Sequence, residues 1–204
     1  MTAPGKRERL LLLVPTPREA ELLAGAARGG ARVVITGVGL AAAGAAAGGW
    51  FERLRPRAAL LAGIAGTLDP RRLPVGALLA ATRVACDGIG AGEGARFVSF
   101  ERRTLALAAP RLDGAVRGQL LSVAAAAGSR AMAAARRRRH PRALAEEMEG
   151  HAVARAARLA RVELTILRGV SNVAGERDLR RWRIAEAMAA CRPAVARWIA
   201  EASR

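Results

Sequence analysis

Apolar positions along the chain switch repeatedly between strand-like runs and helical spacing. Leu10–Val14 is an unbroken aliphatic run closed by Pro15 and Pro17, the pattern of a buried strand. Residues 17–28 then carry Glu19, Leu22, Leu23 and Ala26 at helical spacing, with Pro17 suited to a first turn. Val33–Thr36 is β-branched and ends in Gly37-Val38-Gly39, after which an alanine-rich helix is predicted to about Arg55. Ala58–Ala62 reads as a third strand ending in Gly63 and Gly66, and residues 77–86 as a fourth, before a glycine-rich loop over 87–96. Further strands are predicted at 118–124, near 144–149 and at Glu163–Arg168. Helices are predicted at 129–139, 150–160, about 177–190 and 193–203. Such alternation predicts an α/β fold with a central mixed, largely parallel sheet flanked by helices. No composition break divides residues 1–204, so a single domain is expected.

Composition narrows the class. The 204 residues are 52% hydrophobic and only 3% aromatic, without tyrosine. Two well-separated cysteines, Cys86 and Cys191, give no disulfide framework and point to a reducing compartment. The Leu10–Val14 run falls far short of the roughly 20 residues of a membrane span, and Pro15 cuts it short of a secretory segment. A soluble cytoplasmic protein without a membrane association is expected.

Charge raises a different candidate. The formal net charge is +17, and all but one of the 34 cations are arginines. Arg136–Arg139 with His140 and Arg142 is the densest patch, and phosphate contacts are the usual use of such charge. The arginines nevertheless run along the whole chain, in company with abundant Ala and Gly, as codon usage in a GC-rich genome produces. Stacking aromatics are few. The charge therefore reads as a solvated surface, with a basic nucleic-acid-binding module kept as the non-enzymatic alternative.

Metal chemistry finds no pattern, since His140 and His151 are isolated from each other and from the cysteines. Trp182 and Trp198 are expected in core or subunit contacts, and Cys86 and Cys191 as small apolar core residues. The glycine turns Thr36–Gly39 and Gly63–Thr67 are a better lead, because ligands in open α/β sheets collect at the carboxyl ends of strands. Neither turn has the dinucleotide spacing or the Lys-Ser/Thr of a phosphate loop.

A longer pattern is more specific. In order, the chain carries PTPREAELL (15–23), TGVG (36–39), AGIAGTLDPRRLPVGALL (62–79), EEMEGHAVA (146–154), RGVSNVAGERD (168–178) and WRIAEAM (182–188). This series resembles the nucleoside phosphorylase/hydrolase superfamily over nearly the whole chain. Within it, the pattern is most similar to the futalosine hydrolase family, with the methylthioadenosine/S-adenosylhomocysteine nucleosidases as near relatives. The resemblance implies an enzyme that hydrolyses an N-ribosidic bond through a sugar of oxocarbenium character, freeing hypoxanthine from futalosine. It implies no cofactor, since water is the nucleophile, a small-molecule nucleoside substrate, and a homodimer or higher homo-oligomer.

The resemblance also implies roles for individual residues. Glu19 matches the carboxylate that activates water, and Glu149 the one that holds the ribose hydroxyls, with Met148 beneath the sugar. Asn172 stands where adenine-specific relatives carry an aspartic acid. A neutral amide is a poor proton donor, but it offers an N–H to O6 or N7 of a 6-oxopurine. Gly37, Gly39, Ile64, Ala65, Gly66 and Ser171 complete the expected substrate-binding set. The segment Ser122–Met132 lacks the base-stacking aromatic of the relatives, leaving Phe97 or Phe100 to supply it. A methylthioadenosine-type nucleosidase and a phosphate-using phosphorylase, with Arg32 and Arg57 near the glycine turns, remain the enzymatic alternatives.

Overall fold

The computed structural model describes residues 10–28, 30–92 and 96–203. The strands are β1 (Leu10–Val14), β2 (Arg32–Ile35), β3 (Ala58–Thr67), β4 (Leu78–Asp87), β5 (Gly90–Ala91), β6 (Val98–Ser99), β7 (Leu105–Ala106), β8 (Ala115–Val123), β9 (Ala143–Glu147) and β10 (Glu163–Val173). The helices are α1 (Pro17–Leu23), α2 (Leu40–Leu54), α3 (Arg130–Arg139), α4 (Gly150–Ala160) and α5 (Ile184–Ala202).

The fold is the expected mixed, largely parallel sheet between helices. Its order runs β10-β4-β8-β9-β3-β1-β2, with β7 on β4. β10 also pairs with β3, which closes β3, β10, β4, β8 and β9 into a ring. Register shifts in the β10–β3, β4–β8 and β8–β9 pairings give the bends that closure requires. The aliphatic run of β1 is explained by burial on both faces. Leu11 and Leu13 enter one core with Phe51 of α2 and Val153 of α4, while Leu10 and Leu12 enter another with Met188, Cys191 and Trp198 of α5. Both cysteines are buried free thiols. Among the described residues, no helix is long and apolar enough to cross a membrane.

Three local expectations are corrected. Gly63–Thr67 is not a turn but the second half of β3, because β10 pairs alongside it as far as Thr67. β10 likewise runs on through Val173, so the RGVSN segment is strand. The two terminal helices are one helix, α5, which begins at Ile184 and continues through Pro193. An interior proline costs about 3 kcal/mol, but Cys191, Ala194, Val195 and Trp198 hold both halves against the core. The loop over 87–96 opens into the small antiparallel pair β5–β6.

Candidate active site

At one end of the ring lies a cavity of about 470 Å³. Its first carboxylate comes from α1. Thr16 caps that helix, its hydroxyl accepting from the Glu19 N–H at 3.2 Å, and Pro17 fills the first turn. The cap aims Glu19 inward, where it is buried. One edge of β3 is shared, β1 pairing with Ala58–Leu61 and β9 with Gly66–Thr67. Glu19 reaches the stretch between them, where Oε1 accepts from the Ile64 N–H at 2.9 Å, while Oε2 accepts from the Thr16 hydroxyl at 2.5 Å.

The second carboxylate lies at the end of β9. Glu149 stands at the N-cap of α4; its Oε1 accepts from the Gly39 N–H at 3.0 Å, and its Oε2 from Arg168 Nη2 at 3.2 Å. Gly39 has φ +94°, a conformation glycine adopts without strain, at the turn into α2. Glu147 holds the arrangement from behind. It accepts from Arg168 Nη2, from the Ser122 hydroxyl, and from the Glu149 and Gly150 N–H groups.

Arg168 is the centre of the cluster, and its side chain has no solvent exposure. Nη2 serves both Glu147 and Glu149, while Nε and Nη1 have no partner among the described residues. Burial disfavours its charge, but Glu147, Glu149 and Glu19 raise its pKa above the ordinary arginine value. Gly63 makes room for it: a Cβ there would stand 2.1 Å from Arg168 Nη1 and 2.9 Å from Glu19 Oε1. Three carboxylates around one guanidinium leave the floor electronegative. Burial drives the Glu149 carboxyl upward to about 7; Arg168 opposes that rise, and Glu147 adds to it.

β10 supplies two further lining residues. Its pairing with β3 shifts between Val170 and Asn172, a one-residue bulge that lets the neighbours Ser171 and Asn172 both line the cavity. The Asn172 Oδ1 accepts from the Ser171 hydroxyl at 2.7 Å, and its Nδ2 donates to the Val173 carbonyl at 3.0 Å.

The structure thus gathers most of the residues expected from the sequence. Glu19, Ile64, Ala65, Gly66, Met148, Glu149, Ser171 and Asn172 all line the cavity. Gly39 acts through its N–H to Glu149, and Gly37 is not part of the wall. Sequence reading passed over Arg168, although it opens the most specific motif, and left Glu147 without an assigned role beside Glu149. Trp182 is not a core residue. It lines the cavity, its indole N–H held by the Glu176 carbonyl at 3.1 Å, while Trp198 is core. Phe97 lies beneath Arg139 and Phe100 is 71% exposed, and neither lines the cavity.

Three arginines of the run are engaged by carboxylates. Arg136 is buried on Glu146 at 2.7 Å, Arg137 pairs with Asp69 at 2.7 Å, and Arg139 with Asp87 at 2.6 Å. Burial opposes ionisation of Asp87, yet the hydrogen bonds from His140 and Arg139 hold its carboxyl far below the usual range. Arg32, considered for a phosphate clamp, stacks over Trp50.

The closed, mixed sheet thus brings several carboxylates to a largely apolar cavity at its strand ends. A model of the phosphorylase superfamily matches residues 12–203, and the chain belongs to that superfamily. Among curated proteins it is similar to the futalosine hydrolase of Streptomyces coelicolor, at 41% identity over 145 residues, 66% of this chain and 61% of that protein. The futalosine hydrolase of Acidothermus cellulolyticus is 48% identical over 71 residues, 35% of this chain and 29% of that protein. The matches thus span about three-fifths and under a third of these relatives' lengths. In fold, the chain is similar to the 5′-methylthioadenosine/S-adenosylhomocysteine nucleosidase of Neisseria meningitidis bound to methylthio-immucillin-A (TM-score 0.75, 19% identity, 95% and 97% of the two chains covered). The S-adenosylhomocysteine nucleosidase of Streptococcus pyogenes bound to 5-methylthiotubericidin gives a TM-score of 0.78 at 17% identity, with 98% of each chain covered.

Proposed function

We propose that the protein is a nucleosidase that hydrolyses the N-ribosidic bond of futalosine, releasing hypoxanthine and leaving dehypoxanthine futalosine for menaquinone biosynthesis. The observation that carries this reading is the cavity floor, where Glu19, Glu147 and Glu149 surround the single guanidinium of Arg168. A net negative floor lowers the energy of a ribosyl cation more than that of the neutral nucleoside, which is the difference that accelerates reaction.

Each residue has a part in this scheme. Glu19 takes a proton from water as the water oxygen bonds to C1′ and the C1′–N bond breaks. Glu149 accepts from the ribose hydroxyls, and Met148 lies against the sugar. The electron pair of the broken bond passes to the purine, whose developing negative charge meets the amide N–H of Asn172. Trp182 supplies the aromatic wall. The proposal includes a single-domain, cytoplasmic homo-oligomer, checked by sedimentation of the purified protein and by fractionation of its host.

The test is chromatography of purines released from futalosine, aminodeoxyfutalosine, methylthioadenosine and inosine, each with and without phosphate. Hypoxanthine from futalosine, independent of phosphate, is the expected result. Glu19→Gln and Glu149→Gln should each lower that turnover by at least about a hundredfold with unchanged melting cooperativity. Phosphate-dependent release would make the enzyme a phosphorylase. Release from none of the four, together with nucleic-acid binding that weakens steeply with salt, would overturn the enzymatic reading.

A further inference from the structure

One buried carboxylate at the cavity has no part in the scheme above. Glu146 precedes Glu147 on β9, is 4% exposed, and lines the cavity. Its Oε1 accepts from the Ala127 N–H at 2.7 Å, and its Oε2 from Arg136 Nη1 at 2.7 Å. Arg136 in turn donates from Nη2 to the Ala125 carbonyl at 2.7 Å. The carboxylate is therefore fixed in position, with one donor on each oxygen and a second lone pair on each left to accept.

Its place in the sheet gives this a direction. In the registers of β10, β3 and β9, Asn172 pairs with Gly66, and Gly66 pairs with Glu146. Directly paired residues point to the same face of a sheet, so the three form one row across it. Two strand spacings put the ends of that row roughly 10 Å apart. The central residue has no side chain, and a Cβ on it would already meet Asn172 Nδ2 at 3.3 Å. A slot thus lies over Gly66, with an amide on one side and a carboxylate on the other. The small residues Ala125, Ala126 and Ala127 line the cavity next to it.

We propose that Glu146 is a base-recognition residue, and that the slot over Gly66 takes the edge of a 6-oxopurine whose ring N–H donates to it. This rests on the nucleosidase reading and sharpens it to a choice between bases. A carboxylate accepts hydrogen bonds and gives none, so the edge that meets it must carry a donor. Hypoxanthine has a protonated ring nitrogen beside its oxo group. Adenine presents a bare acceptor nitrogen there, which the carboxylate repels. A site built around a hydrogen bond rejects the analogue that lacks it more strongly than an apolar pocket rejects a change of size.

The test compares Glu146→Gln with the native enzyme in two readouts: calorimetric binding of free hypoxanthine and adenine, and kcat/KM on futalosine against aminodeoxyfutalosine. The native protein should prefer hypoxanthine in both. Glu146→Gln should weaken hypoxanthine binding and raise KM for futalosine by about tenfold to a hundredfold, leave kcat within a few-fold, and shift the base ratio toward adenine. Because the new amide nitrogen faces either Arg136 or the Ala127 N–H, the double variant Glu146→Gln/Arg136→Met removes that conflict and should show the same shift with restored melting. An unchanged base ratio in both variants, with purine still released, would overturn the role of Glu146 and leave the nucleosidase reading standing. Failure of the native enzyme to release any purine would remove both.

Discussion

Among the described residues two arginines are buried, and they do opposite things. Arg168 sits on β10 with Glu147 and Glu149 on one nitrogen and two nitrogens unpartnered. Arg136 sits on α3, bonded to Glu146 and to the Ala125 carbonyl, with Asp87 3.6 Å from its Nε. The first is under-coordinated and faces more negative charge than it cancels. The second is anchored to a backbone loop and serves to hold it. Arg168 thus keeps two spare donors beside the proposed chemistry, whereas Arg136 is bonded at both ends of its fork and leaves only its Nε without a hydrogen bond.

The largest separation between the two should come from deletion. Arg168→Met leaves Glu147 and Glu149 facing each other without a cation, and should cost about 3–5 kcal/mol of stability and at least a hundredfold in kcat. Arg136→Met should lower the melting temperature comparably, while kcat on the preferred nucleoside falls less than about tenfold. Equal losses of turnover in the two variants would erase the distinction.

A middle-sized effect concerns Glu149. Burial, opposed by Arg168 and reinforced by Glu147 and Glu19, puts its carboxyl at about 7 against an ordinary 4.5. The folded protein therefore holds that proton more tightly than the unfolded chain. The resulting stability is complete below about pH 4.5 and is lost as pH rises through 7. Melting temperatures measured between pH 5 and 8 should fall less steeply for Glu149→Gln than for the native protein. Activity runs the other way: kcat/KM should rise through about pH 7, because only the carboxylate supports a ribosyl cation. A flat profile would place the rate-limiting ionisation elsewhere.

The smallest effect is expected at the rim. Arg177 lines the cavity and is exposed. The proposed substrate bears a carboxylate, and an exposed cation attracts it weakly through solvent. Arg177→Gln should raise KM about two- to fivefold at low salt and less at high salt. An unchanged KM at both would place the substrate's carboxylate away from this rim.

The same two arginines mark what the sequence made legible. Strand and helix alternation was readable because burial on both faces of β1 and β3 writes a continuous aliphatic run. Glu19 and Glu149 were singled out by the resemblance of the segments that carry them, and both line the cavity. Arg136 stands beside three identical neighbours, and only the tertiary partners Glu146 and Asp87 distinguish it from a solvated cation. Trp182 was misplaced for a related reason. Its role depends on the turn after β10, where Glu176 holds the indole, and no spacing rule encodes that turn. Closure of the sheet was hidden too, since it depends on register shifts and on glycines that look like turn signals.

That closure has a consequence for how the molecule is made. β3 forms early in the chain, yet one of its edges is completed only by β10, the last strand. On a nascent chain the edge stays open, apolar and available to other chains while the intervening strands emerge, a high-contact-order step that slows folding and favours protection by chaperones. Arg168, Ser171 and Asn172 arrive on that same strand. Completion of the ring and of the cavity are therefore one event, and a fragment ending before Glu163 has neither.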